Sequence, residues 1–113
     1  MDIESKDRVA RIRDLNDAFR RTFSRGRVMI TCGVAELPDA VKARALLMVA
    51  SFDQFSDDND PHGEHDFGSF EFADNRFFWK IDYYDQRCEF GSEDPSDPKR
   101  TTRVLTLMLV SEY

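Results

Sequence analysis

"FGSFEFADNRFFWKIDYYD", residues 67–85, is two alternating runs of apolar and polar side chains joined near Asp74-Asn75. Aspartate and asparagine accept the positive φ of a tight turn, so the stretch predicts a β-hairpin. In its second run Phe77, Trp79, Ile81 and Tyr83 share one face, and Phe78, Lys80, Asp82 and Tyr84 share the other. The first set, centred on Trp79, reads as core. The second mixes aromatic and charged side chains, a combination that a plain solvent face does not require.

Working outward, Asp7 to Phe23 places Val9, Ile12, Leu15, Ala18, Phe19 and Phe23 at helical spacing, with Ser5 as a cap. Arg8, Arg11, Arg13, Arg20 and Arg21 alternate with Asp7, Asp14 and Asp17 at spacings of three and four, the pattern of a solvated helix face rather than a phosphate-binding stripe. "RVMITCG", residues 27–33, predicts a short buried strand closed by Gly33. "LPDAVKARALLMVASFDQF", residues 37–55, opens with Pro38 near a first turn and carries Val41, Ala45, Leu46, Val49, Phe52 and Phe55 on one stripe. It predicts a second helix, more buried than the first. "SEDPSDPKR", residues 92–100, is a proline-punctuated loop. "TTRVLTLMLVSEY", residues 101–113, predicts a final helix capped by Thr101 or Thr102, although Leu105, Leu107 and Leu109 alternate equally well as a strand. The order gives an α+β fold: a small, mainly antiparallel sheet of one strand plus a hairpin, packed with two or three helices in one domain over residues 1–113.

The 113 residues fit one core, and 41% apolar residues with ten phenylalanines can fill it. The opening "MDIESKDR" lacks the basic-then-apolar order of a secretory signal and no run is long enough to cross a bilayer, so a cytoplasmic protein is expected. Cys32 and Cys88 are too few for a disulfide framework and read as reduced, partly buried thiols. Net charge is −6, unevenly spread. Residues 1–27 hold eight basic and five acidic side chains, a balance of +3; residues 53–100 hold fourteen acidic and five basic, a balance of −9. Such a field repels nucleic acid and membrane surfaces and attracts a basic protein.

"DNDPHGEHDFG", residues 58–68, concentrates both histidines of the chain among carboxylates. Asp58, Asp60, His62 and Gly63 take the first, third, fifth and sixth places of a calcium loop, but Ser69 stands where the bidentate glutamate is required. His62, Glu64, His65 and Asp66 have the donor types of a zinc or iron site, although such centres draw ligands from more than one element. Turn chemistry is the plainer reading: Asp and Asn start turns, Pro61 and Gly63 shape them, and carboxylates accept backbone amides. General acid/base work at His65 would need the fold to bring Asp82 or Asp85 to it.

"NDPHGEHDFGSF", "FFWKIDYYD" and "RVLTLMLVSEY", in that order behind "RIRDLNDAFRRTF", resemble the small proteobacterial domain-of-unknown-function family numbered 3768. Asn59, Asp60, Gly63, Glu64, His65, Asp66, Trp79, Asp82, Tyr83 and Tyr84 are the positions that match its blocks. The resemblance implies a stand-alone intracellular protein of a kind often encoded on plasmids, phages and other mobile elements. It brings no activity, cofactor or catalytic residue with it.

Together these readings lead to a small acidic, non-catalytic protein-binding module without a cofactor. In the mobile-element setting it would inhibit a host nucleic-acid-handling defence, as an anti-CRISPR or antirestriction factor does. Asp57, Asp58, Asp60, Glu64 and Asp66 would form an acidic patch for a partner with a basic surface, and Phe78, Tyr83 and Tyr84 an aromatic face. Direct nucleic-acid or membrane contact is not expected, and self-association is compatible with the reading. The alternative is a metal-dependent hydrolase built on the loop at residues 57–66.

Overall fold

The hairpin forms one side of a four-stranded sheet ordered β1-β4-β3-β2, with β1 Arg27–Ile30, β2 Phe67–Phe72 at the edge, β3 Asn75–Tyr84 and β4 Thr102–Leu109. The computed structural model describes residues 3–113; Met1 and Asp2, part of the stretch read for a secretory signal, lie outside them. Strand β3 pairs antiparallel with β2 and β4, while β1 joins the far side of β4 in parallel. The hairpin turn sits one residue earlier than the sequence suggests. Ala73 and Asp74 take φ of 51° and 63°, and Phe72 faces Asn75, whose side chain donates to the Ala73 carbonyl at 2.9 Å.

The fold class is α+β, as expected, but residues 102–109 are a strand and not a helix. Strand β4 has neighbours on both edges, and Arg103, Val104, Leu105, Leu107 and Met108 are buried. A strand buried on both faces reads as a continuous apolar run, which periodicity cannot separate from a helix. Thr101 therefore caps nothing; its hydroxyl donates to the Asp94 carbonyl and meets Ser92 Oγ. The chain closes in a 3-10 turn, Val110–Glu112.

Helices α1 Ile3–Thr22, α2 Cys32–Ala35 and α3 Asp39–Ala50 lie on one face of the sheet. Phe19 of α1, Val34 of α2, and Ala45 and Val49 of α3 cluster there with Phe77, Trp79, Ile81, Leu105 and Leu107. Several local expectations change. Ser5 sits inside α1 rather than capping it. Ala18 is exposed, and among the described side chains α1 buries Ile12, Asn16, Phe19 and Arg20 against Ala45 and Val49 on α3. Strand β1 ends at Ile30 and is an exposed edge: Val28 and Ile30, on the helix-facing side by register, are 36% and 39% exposed, and Met29 on the other side is 56% exposed. Cys32 is exposed.

Arg20 is the largest departure. Expected on the solvated face, it is 2% exposed and closes the end of α3. Its Nη1 donates to the carbonyls of Val49 (2.8 Å), Ala50 (3.3 Å) and Phe52 (2.7 Å), and Nη2 donates to Asp17 at 3.0 Å. The last carbonyls of a helix have no intrahelical partner, and a guanidinium fork supplies one. Helix α3 thus stops at Ala50, and Phe52 and Phe55 reach the core from the following loop, edge-on to Trp79 at 5.5 and 6.2 Å.

A second long-range clamp holds the chain's end. Glu112 accepts from Thr31 Oγ1 (2.6 Å), the Gly33 amide (2.9 Å) and the Leu109 amide (2.9 Å). These bonds hold its carboxyl below its usual pKa. A side chain at Gly33 would collide with that carboxylate, which accounts for the glycine.

Candidate functional site

The acidic loop crosses over α1 before entering β2, and its turns are built as the residue types suggest. Asn59 Oδ1 accepts the Ser56 amide at 2.8 Å, and Asn59 Nδ2 donates to the Gln54 carbonyl at 2.7 Å. Asp60 is turned inward and buried; its Oδ1 accepts the His65 amide at 3.2 Å, and its carbonyl accepts the Gly63 amide at 3.1 Å. His65 itself takes φ of 55°, a left-handed conformation held by these contacts.

The His65 ring is gripped on three sides. Nδ1 lies 3.0 and 3.1 Å from the two carboxylate oxygens of Asp17, which places the proton on Nδ1. Nε2 faces Asp60 Oδ2 at 3.6 Å, and the ring stacks on Phe55 at 3.8 Å with 3° between planes. The partners of His65 are thus Asp17 and Asp60. Asp82 instead pairs with Lys80 at 2.8 Å, and Asp85 accepts the amides of Arg87 and Glu89 in its own turn. His62 is exposed. Among the described residues no three His, Cys, Asp or Glu side chains converge as a metal ion requires.

Beneath the loop runs a second network. Asn16 Nδ2 donates to Tyr83 Oη at 2.7 Å and to the Glu64 carbonyl at 3.0 Å. Tyr83 Oη donates to Glu64 Oε1 at 2.7 Å. Arg103 Nε donates to Asn16 Oδ1 at 2.7 Å, its Nη2 donates to the Pro95 carbonyl, and its guanidinium lies 5.2 Å from the Tyr83 ring centre. Burial, then the bond to Glu64, pushes the Tyr83 hydroxyl well above its usual pKa, so it remains a donor. Tyr83 consequently faces the helices and does not belong to the aromatic face with Phe78 and Tyr84. Arg13 adds a bond to the Gly63 carbonyl at 3.2 Å.

Of the five residues expected to form an acidic patch, Asp57 and Asp58 are exposed, whereas Asp60 and Glu64 are engaged inside. Asp66 is half-buried, and its carboxyl pKa is raised by burial and by the neighbouring Glu64. An acid whose folded pKa lies above its unfolded value favours folding most below the unfolded value, and loses that contribution as pH rises through the folded one. Asp66→Asn should therefore raise the melting temperature at neutral pH, with the gain shrinking as pH falls toward 3.8. Calorimetric scans across that range check it; a gain that grows on acidification contradicts the assignment.

Asn16, Asp17, Arg20 and Arg103 were not anticipated as members of the site. The signal for Asn16 lies in its position, four after Ile12 and three before Phe19 on the buried stripe of α1. The arrangement joins α1, the loop, β3 and β4 with hydrogen bonds that satisfy buried polar groups, and it aims neither ring nitrogen of His65 at open space.

No helix among the described residues is long and apolar enough to cross a membrane. No curated protein and no solved structure matches the chain. Residues 30–112 match the family described as Protein of unknown function (DUF3768), a span that holds the loop, α2, α3 and β2 to β4 but not α1. With most of its length inside that match, the chain belongs to the DUF3768 family.

Proposed function

We propose that the protein is a non-catalytic binding module that engages a basic surface on a protein partner. The observation that carries this reading is the sheet face opposite the helices. Phe78, Lys80, Asp82 and Tyr84 point there, alongside Phe67 of β2 and Met29 of β1 by register. Phe67 and Phe78 rings lie 5.1 Å apart, and Tyr113, 82% exposed, meets Phe78 edge-on at 5.3 Å. Aromatic side chains and methionine in a charged surround are the composition of an interface. The exposed carboxylates of Asp57 and Asp58, within a strongly negative stretch, supply the long-range attraction.

In the cytoplasm, and in the mobile-element setting of the resemblance, the same chemistry serves an inhibitor of a host nucleic-acid-handling defence. Carboxylates would occupy a basic surface that otherwise receives phosphates, in the manner of an anti-CRISPR or antirestriction factor.

The test is the association kinetics of a partner captured from the natural host. Added salt should slow association, since charges are screened beyond about 8 Å at physiological ionic strength. Asp57→Lys with Asp58→Lys should slow it further with little change in dissociation, because charges at an interface rim act mainly through steering. Both side chains are exposed, so folding should be unaltered by circular dichroism. A complex indifferent to salt and to charge reversal contradicts the electrostatic part, and an acidic partner contradicts the whole.

A further inference from the structure

On the side of the molecule where α1 ends, a groove of about 790 Å³ runs between α1, the turn after it and the loop leading into β4. Its floor is apolar, with Leu15 and Phe19, and its walls carry Arg21, Arg25, Lys99 and Arg103. Among the described residues, no aspartate or glutamate lines it. Arg21, Arg25 and Lys99 are exposed and make no ion pair among the described residues. Arg103, 4% exposed, uses Nε on Asn16 and Nη2 on Pro95, and its Nη1 has no acceptor among the described residues. That nitrogen is not sealed from solvent, so it remains a donor available to a ligand in the groove.

The turn itself is tightly built. Phe23 and Arg25 both hold left-handed φ, of 55° and 66°, and a side chain at Gly26 would collide with Phe19 and the Arg103 carbonyl. This fixes the backbone from which Arg25 extends. The volume lies in the range of small-molecule sites, which pair an apolar lining with a few placed polar groups.

We infer that this groove binds a small organic phosphate, its phosphoryl group held by Arg25, Lys99 and Arg103 and its apolar or aromatic body resting on Leu15 and Phe19. Several cations on one rim suit a doubly charged phosphoryl group, and arginine matches its oxygens bidentately. The site is separate from the sheet face proposed for the protein partner, and its test does not depend on that partner.

Titration calorimetry with phenyl phosphate, inorganic phosphate, phenol and a glutamate-rich peptide tests the inference. Phenyl phosphate should saturate a single site and bind at least about tenfold more tightly than inorganic phosphate or phenol, since both halves of the groove are used. Arg25→Asn combined with Lys99→Gln should weaken it by at least about tenfold at an unchanged melting temperature; asparagine tolerates the left-handed φ. Absence of saturation, equal binding of phosphate and phenyl phosphate, or an undiminished affinity in the double variant overturns the proposal. So does saturation by the peptide where phenyl phosphate fails, which would make the groove a peptide site.

Discussion

Trp79→Ala should lower stability by ~3–5 kcal/mol, the range for truncating a large buried aromatic side chain. Trp79 is fully buried at the centre of the sheet. Phe52 and Phe55 meet it edge-on from the loop, the Arg20 guanidinium lies 5.3 Å from its ring centre, and Gly68 on β2 leaves the space its indole fills. None of these neighbours can collapse into the cavity without leaving its own contacts, so the loss belongs at the upper end. For a chain of this size the melting temperature should fall by roughly 12–20 °C. Trp79→Phe should cost much less, because it keeps ring contacts and removes an indole N–H that has no acceptor among the described residues. Thermal melts of the two variants decide the point. An alanine variant that melts within a few degrees of the parent would place the core on the wrong face.

Arg20→Met should be of similar size, ~3–5 kcal/mol, because it breaks a buried ion pair from one side. The change strips the carbonyls of Val49, Ala50 and Phe52 of their donor and leaves Asp17, 14% exposed, with His65 alone. Arg20→Lys should restore only part, since an ammonium cannot span three carbonyls and a carboxylate as the planar fork does. Urea melts should also show that Asp17→Asn and Arg20→Met are less than additive, the mark of a shared interaction. Additive losses would mean that the two side chains act independently.

The hairpin and its buried face were legible because alternation over 67–84 matches a strand that is half-covered: Phe77, Trp79 and Ile81 inward, Phe78 and Lys80 outward. Strand β4 was not, since burial on both faces erases alternation and leaves only an apolar run. The exposed character of β1 depends on its place at the sheet edge, which no local pattern encodes. Arg20 and Asn16 illustrate the same limit in α1. Their spacing puts both on the buried stripe, yet residue type alone assigned Arg20 to solvent, and only the approach of α3's last carbonyls explains its burial.

The loop shows what local chemistry can and cannot supply. Asp60, Asn59 and Gly63 form the turns their types suggest, whereas the partner of His65 comes from Asp17, 48 residues away. Grouping the carboxylates by sequence joined side chains with opposite fates: Asp57 and Asp58 remain outside, and Asp60 and Glu64 tie the loop to the body of the protein. Tyr83 was likewise grouped with Tyr84 by adjacency, although neighbouring strand residues point to opposite faces.

Hydroxyl-radical footprinting of the complex with the captured partner tests most directly the claim that recognition lies on the sheet face opposite the helices while the loop's His65 and inner carboxylates hold the fold. Met29, Phe78, Tyr84 and Tyr113 should lose reactivity on binding, with His65 and Tyr83 unchanged. Undiminished oxidation of Phe78, Tyr84 and Tyr113 in a saturated complex, with protection confined to the loop around His62 and His65, would contradict it.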